Sequence, residues 1–355
     1  MNGPVEVVDT PAEAAALPLP PLVVRRPLEA WLDESELGSG PLVVTRIGAG
    51  HSNATFLLER GGERMVLRRP PRPPLPPSAH DMLREARVLT ALAGRARVPR
   101  VLDVCQDPDV LGVPFYVMEE LEGDVVTDSL PPALGTAEAR REAGHDLVDA
   151  LVELHAVDIA RAGLSDFGRP DGYLERQVRR FAALWEHNAT RDLPLVGELG
   201  AWLGAAVPAS GEACVVHGDY RLGNVMLDRA APRVLALLDW ELATLGDPLA
   251  DLGYLVATYT DASSLPTVLD LSPVTRTTGF PDRAQLVERY AERSGRSVDA
   301  LAWYETLALW KAAVFCEGLY GRFLRGETAD VWTGSLAEGV PGLLRVAAVT
   351  AERGA

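Results

Sequence analysis

The stretch VVHGDYRLGNVMLDRAAPRVLALLDWE, residues 215–241, constrains this chain more than any other. Two apolar runs, Val225–Leu227 and Val234–Leu238, flank Asp228-Arg229-Ala230-Ala231-Pro232 and predict a β-hairpin. With the register symmetric about Ala231 and Pro232, Asn224 faces Asp239, Val225 faces Leu238 and Met226 faces Leu237. Directly opposed residues carry Cβ atoms about 4.5–5.5 Å apart. An amide oxygen and a carboxylate at that spacing can share a hard cation held at about 2.0–2.1 Å, as Mg²⁺ requires. Asp219, on the loop leaving the apolar strand CVVH, can point into the same cleft. A bulge in the hairpin would undo this register.

Composition removes several other chemistries. Of the 34 basic residues only Lys311 is lysine, and 33 are arginine. A Walker-type phosphate loop needs Gly-Lys-Ser/Thr, whereas Lys311 sits in LALWKAAV with no glycine before it. Schiff-base catalysis would have to rest on that same lysine. The formal charge of −16 disfavours nucleic acid and anionic membrane as partners. Cys105, Cys214 and Cys316 are far apart and in no metal-binding spacing, which predicts reduced thiols and a cytoplasmic protein. The N-terminal MNGPVEVVDT carries no secretory pattern, and no apolar run is long enough to span a bilayer.

Along the chain, residues 1–41 read as an extension rich in Pro, Ala and Glu, with one short helix near Leu28–Leu37. Residues 42–121 change to short strands: LVVTRI, a glycine loop Gly48-Ala49-Gly50-His51-Ser52-Asn53, then ATFLLE and ERMVLR as a hairpin. A proline-rich connection leads to the amphipathic helix AHDMLREARVLTAL, and PFYVMEEL reads as a further strand. Residues 122–355 are dominated by helices, among them one that carries Trp303, Leu307, Trp310 and Val314 on a single stripe. The expected architecture is α+β with two lobes, a small β-rich one followed by a larger helical one.

HGDYRLGN followed by LLDWE resembles the phosphotransferase motif of the aminoglycoside phosphotransferase family, which has the protein-kinase-like fold. Further stretches, VLRRPP, PFYVMEELEG, LHAVD, GLSDFGRPDGYLERQVRRF, LATLGDPLADLGYL and RYAERSGR, are similar to the phosphotransferase domains related to those fused to acyl-CoA dehydrogenases. The resemblance implies a small-molecule kinase: a magnesium- and ATP-dependent transferase, with GTP as an alternative donor, that phosphorylates a hydroxyl. It implies that Asp219 is the catalytic aspartate, while Asn224 and Asp239 are the metal ligands. Gly48, Gly50 and Ser52 then belong to the loop over the nucleotide phosphates, although such a loop is also an ordinary turn.

Where kinases carry a phosphate-binding lysine on the strand after that loop, this chain has Arg68, with Glu85 as its helix partner. Arginine keeps the charge and can grip carboxylate and phosphate together; a plain structural salt bridge is the alternative. Arg221 could stabilise the transferred phosphoryl group, or pack on the surface. The backbone at Glu119 and Leu121 falls where kinase-like folds bind adenine. His217 is expected to be a strut, and Asp247 and Asp251 to be loop and helix-cap residues. Residues 261–280 form either part of the acceptor pocket or a surface loop. An aminoglycoside, a hydroxylated acyl compound and another metabolite all stand as acceptors, and a non-catalytic nucleotide-binding module is the alternative to an enzyme.

Overall fold

The computed structural model describes residues 5–48, 53–73, 80–262, 264–328 and 330–354, in two compact units. One unit is built from the chain up to Gly94 together with Val98–Glu122; the other from Arg95–Arg97 and the chain after Gly123. A β-rich N-terminal part followed by a larger helical part is the expected α+β, two-lobed, protein-kinase-like class.

In the first unit, β1 (Val7–Val8), α1 (Pro11–Ala15), β2 (Val23–Val24) and α2 (Arg25–Glu34) precede an antiparallel sheet. The sheet comprises β3 (Leu42–Ile47), β4 (Ala54–Arg60), β5 (Glu63–Arg69), β6 (Val101–Cys105) and β7 (Phe115–Glu119), in the order β3-β4-β5-β7-β6. Strict alternation of burial along β4 explains the strand: Ala54, Phe56, Leu58 and Arg60 point inward and their neighbours outward. The helix α3 (Met82–Leu92) packs on β6 and β7, capped at its start by Asp81. The short helix α4 (Pro108–Leu111) links β6 to β7.

The N-terminal residues contribute more than one helix and belong to the core of this unit. Leu22, Val23, Leu28 and Leu32 are buried in one cluster with Phe56, Leu58, Phe115 and Val117. Trp31 meets the Phe115 ring edge-on at 5.0 Å between centroids. Arg60 is buried and ties the segment down, donating to Gly40 O at 2.9 Å and Glu29 O at 3.2 Å and pairing with Asp33. Composition hides this, because Pro, Ala and Glu content conceals which few leucines face the sheet.

The second unit begins with β8 (Gly123–Val125) and the long helix α5 (Ala137–His155), followed by α6 (Tyr173–Asn188) and α7 (Pro194–Ala205). Then come β9 (Cys214–Val216), the hairpin β10 (Val225–Asp228) and β11 (Val234–Leu237), and β12 (Thr244–Gly246). Four helices close the unit: α8 (Leu249–Thr258), α9 (Arg283–Ser294), α10 (Leu301–Leu324) and α11 (Val331–Glu352). Its centre is α10, which packs on α6, α7, α8 and α11. That helix is apolar nearly all round, and its two buried indoles are satisfied, Trp303 Nε1 on Leu203 O and Trp310 Nε1 on Val196 O.

The catalytic-loop hairpin forms, but not in the symmetric register. Val225 pairs with Leu237, Met226 with Ala236 and Leu227 with Val234, so Leu235 is the extra residue of a bulge. Asn224 therefore stands opposite Leu238, whose amide donates to Asn224 O at 2.8 Å, and Asp239 lies one residue beyond. The turn is centred on Ala230 and Ala231, one residue earlier than expected, which moves the pairing by two positions, and the bulge returns one of them; periodicity reveals neither.

Burial of the N-terminal leucines makes a direct prediction. Leu28→Ala should destabilise the protein by about 2–5 kcal/mol, the usual cost of a cavity at a fully buried leucine. Urea unfolding checks this; a change under about 0.5 kcal/mol, as at a surface site, would mean that the segment is dispensable.

Candidate active site

Asp219 sits on the loop between β9 and β10, and the chain is forced around it by Gly218. That glycine has φ of +87°, and a Cβ there would stand 2.8 Å from Leu242 O, so no other residue fits without a shift. His217 braces the same loop. Its Nε2 meets Leu238 O at 2.9 Å and its Nδ1 accepts from the Asp219 amide at 3.3 Å. With both ring nitrogens engaged, it is the strut expected from the sequence.

Beneath the loop lies Asp251, near the start of α8, with no exposed surface. One carboxylate oxygen accepts from the His217 amide at 2.7 Å and from His155 Nε2 at 3.2 Å; the other accepts from the Gly218 amide at 2.8 Å. Burial by itself pushes the Asp251 carboxyl upward, but the His155 hydrogen bond and charge, with His217 and the Gly218 amide, hold it below its usual value. His155 is held in turn by Tyr290 at 2.8 Å. Asp251 thus anchors the catalytic loop, a role beyond that of a loop or cap residue. The available signal was its position: an aspartate among Leu249, Leu252 and Leu255 on the apolar side of a helix. Asp247, by contrast, accepts from the Leu249 amide at 2.9 Å at the start of α8, and also takes the Tyr304 hydroxyl at 2.9 Å.

Asn224 and Asp219 are brought together. Asn224 Nδ2 donates to Asp219 Oδ2 at 2.7 Å and to Asp219 O at 2.9 Å, which leaves the amide oxygen as the atom available for a cation. Asp239 lies two residues past the end of β11 with φ of +66°, one of three non-glycine residues with positive φ among those described. That backbone is costly for a residue with a Cβ, and it turns the carboxylate out of the strand. The amide oxygen of Asn224 and the carboxylate of Asp239 are hard donors suited to Mg²⁺. Among the described residues no group of three or more His, Cys, Asp or Glu could hold a metal; a two-residue set fits Mg²⁺, which keeps several waters and substrate oxygens. Arg221 Nε lies 3.5 Å from Asp219 Oδ1, an oxygen that is buried and receives no hydrogen bond among the described residues.

Asp219 also lines a cavity of about 390 Å³, formed entirely by residues of the second unit. Its walls are mostly apolar, with Leu269, Leu271, Leu307 and Phe315 prominent, and Glu241 and Lys311 also face it. Leu269 and Leu271 come from residues 261–280, so that stretch contributes to the cavity; residue 263 lies outside the described residues. Tyr254, on α8, has its phenol pushed well above the ordinary value, mainly by burial and further by the nearby Asp219 charge.

The first unit holds the remaining candidates. Arg68 Nε on β5 and Glu85 Oε1 on α3 form an ion pair at 2.8 Å, with Glu85 nearly buried. Gly48 ends β3 with φ of +75° and open space where a Cβ would point, so its backbone conformation, not crowding, calls for glycine. Gly50 and Ser52 lie outside the described residues. The Glu119 amide donates to Arg100 O at 2.9 Å, so that N–H is committed within the sheet; Leu121 follows just beyond β7.

The loop anchor predicts a stability effect as well as a functional one. Asp251→Asn keeps the shape but turns an acceptor into a donor facing a backbone N–H, and should cost about 1–3 kcal/mol for each buried group left unsatisfied. Because the folded-state pKa is depressed, this contribution is complete above the unfolded carboxylate value of about 3.9 and is lost as pH falls through the lower folded value. Thermal unfolding of wild type and variant across acid pH tests both, and equal midpoints would refute the anchor.

The model of the phosphotransferase enzyme family matches residues 43–305. Acyl-CoA dehydrogenase family member 11 of Rattus norvegicus is 36% identical over 314 residues, covering 86% of this chain and 40% of its own length. The chain therefore spans less than half of the curated relatives of this kind. A crystal structure of a candidate aminoglycoside phosphotransferase from Ralstonia eutropha JMP134 is 31% identical, with TM-score 0.80, covering 92% of this chain and 98% of that one. The GDP complex of an aminoglycoside 2'-phosphotransferase is 16% identical with TM-score 0.59, covering 90% and 97%, and shares the fold. This chain belongs to the phosphotransferase enzyme family, with the two-lobed fold of the protein-kinase-like type.

Proposed function

We propose that the protein transfers the γ-phosphoryl group of a nucleoside triphosphate, ATP or alternatively GTP, to a hydroxyl of a small acceptor bound in the cavity beside Asp219. The observation that carries this is the Asp219 carboxylate: held by Asn224, backed by the Asp251-anchored loop, and facing a cavity of small-molecule size. In this reading the acceptor hydroxyl donates to Asp219 and is aimed for in-line attack, with the carboxylate taking the proton as the new O–P bond forms. Arg221, beside Asp219, offsets charge on the transferred group. In the first unit, Arg68, oriented by Glu85, grips the donor phosphates in place of the usual lysine. Gly48, Gly50 and Ser52 cover those phosphates, and the Glu119 carbonyl and Leu121 backbone receive the base. Mg²⁺, held by Asn224 and Asp239, would neutralise the phosphate oxygens.

The apolar walls favour an acceptor with an apolar body. The relatives named as acyl-CoA dehydrogenases support a hydroxylated acyl compound. An aminoglycoside is the second reading: the Ralstonia eutropha relative is described as a candidate enzyme of that kind, and Asp219 and Glu241 add carboxylates to the cavity. Three buried free thiols suit a reducing cytoplasm. No helix among the described residues is long and apolar enough to cross a membrane.

Transfer of radiolabelled phosphate across a panel of hydroxylated metabolites, with kanamycin included, tests the reading. Asp219→Ala should lower kcat by about 10²–10⁴-fold, the range for a lost general base; unchanged turnover would remove Asp219 from the mechanism. Arg68→Ala should weaken nucleotide binding more than about tenfold, as loss of a charged hydrogen bond of roughly 1.5–3 kcal/mol requires, while Arg68→Lys retains it. Equal nucleotide affinity of wild type and Arg68→Ala, by titration calorimetry, would leave the Arg68–Glu85 pair a structural one.

A further inference from the structure

We propose that Lys311 selects the acceptor by charge: its ammonium group, on the wall of the cavity that contains Asp219, takes a carboxylate of the acceptor and excludes polycations. This rests on the reading of the cavity as the acceptor site.

Lys311 is the single lysine in a chain with 33 arginines. It occupies the middle of α10, on the face that sends its i±4 neighbours Leu307 and Phe315, together with Ala308 and Ala312, to the cavity wall. Its ammonium rests over the Phe181 ring at 4.8 Å, a contact worth about 0.5–2 kcal/mol. Among the described residues it makes no ion pair and no hydrogen bond. An ammonium without a counter-charge in apolar surroundings is costly, and a leucine or methionine would serve the packing of α10 at least as well. An entering carboxylate supplies what the site lacks.

The cavity's own carboxylates do not fill that role. Asp251 is committed to His155 and to the His217 and Gly218 amides, and Asp219 is bonded to Asn224. Glu241 also faces the cavity but forms no ion pair with Lys311. A carboxylate group at Lys311 and a hydroxyl at Asp219 describe one molecule with charge at one end, reaction at the other and an apolar stretch between. A polyamine sugar would bring like charges to Lys311 and to Arg180 behind it, whose repulsion is felt there.

Burial, with a contribution from Arg180, lowers the ammonium pKa to about 8, against a smaller opposing effect of Asp251. The phenols of Tyr173, Tyr254 and Tyr304 are pushed upward by burial, as is the Cys316 thiol, to about 12, while Asp251 is held low. Those groups keep their charge from neutral to mildly alkaline pH while Lys311 titrates. Capture of a carboxylate therefore prevails at pH 7 and is lost as pH rises through about 8 and the ammonium deprotonates.

Two measurements on the whole chain test the assignment. The first uses octanoate, octanamide and octylamine, which lack a hydroxyl and so report binding without turnover. Octanoate should raise the Tm of wild type more than the other two, less so at pH 9 than at pH 7, and this preference should vanish in Lys311→Met and persist in Lys311→Arg. The second compares kcat/KM for a medium-chain alcohol ending in a carboxylate with its primary amide. The ratio should fall at least tenfold in Lys311→Met, through KM, and return in Lys311→Arg. Octanoate that fails to stabilise wild type, or stabilises Lys311→Met equally, overturns the inference. Octanoate binding without phosphorylation of any alcohol leaves the charge selection standing and overturns the phosphotransfer reading instead.

Discussion

The loop that carries Asp219 depends on one buried carboxylate. Asp251 receives two consecutive backbone amides and an imidazole, and it is these bonds that let the chain turn sharply at Gly218 and present Asp219. A charge with no exposure is tolerable only when its lone pairs are filled, and here three donors fill them. The arrangement ties the loop to the start of α8. Tyr254 is one helical turn further on from Asp251, so the same helix that braces the loop also brings a phenol near Asp219.

Around that anchor the second unit separates charge by position. Asn224 and Asp239 are placed by the hairpin, the first through its bonds to Asp219 and the second through a left-handed backbone at the strand end. The cavity on the other side is mostly apolar and holds a lone ammonium. Polar side chains are thus concentrated at the loop, while α10 and the leucines of residues 261–280 supply apolar wall. Arginine has replaced lysine everywhere except in this cavity. Lysine's small, titratable head group can retreat over an aromatic face when no anion is present, which a planar, permanently charged guanidinium does less readily.

Much of this was legible in the residues. HGDYRLGN pointed to Asp219 and Asn224, which hydrogen-bond, and Arg68 and Glu85 do pair. Short apolar runs between turn residues located β3, β4, β5 and β7, although only β4 alternates strictly in burial. The hairpin register was not legible: a turn centred one residue early and one bulged residue, Leu235, together place Asn224 opposite Leu238 without altering the apolar pattern. The N-terminal segment was read as an extension because its few inward leucines are diluted by Pro and Ala.

The sequence by itself determined the chemistry available: a loop with Asp and Asn at fixed spacing, a hairpin that returns a second Asp, and one lysine. Local spacing sets these because their partners lie within a few tens of residues. Only the tertiary structure decided what each distant group meets. Asp251 reaches His155 across 96 residues of chain, and Lys311 reaches the Asp219 cavity because α10 runs through the centre of the helical unit. Such contacts depend on how helices pack, a property of volumes and faces that no short motif records. The lone lysine, useful in the sequence mainly for what it excluded, became a candidate specificity residue only once that packing placed it.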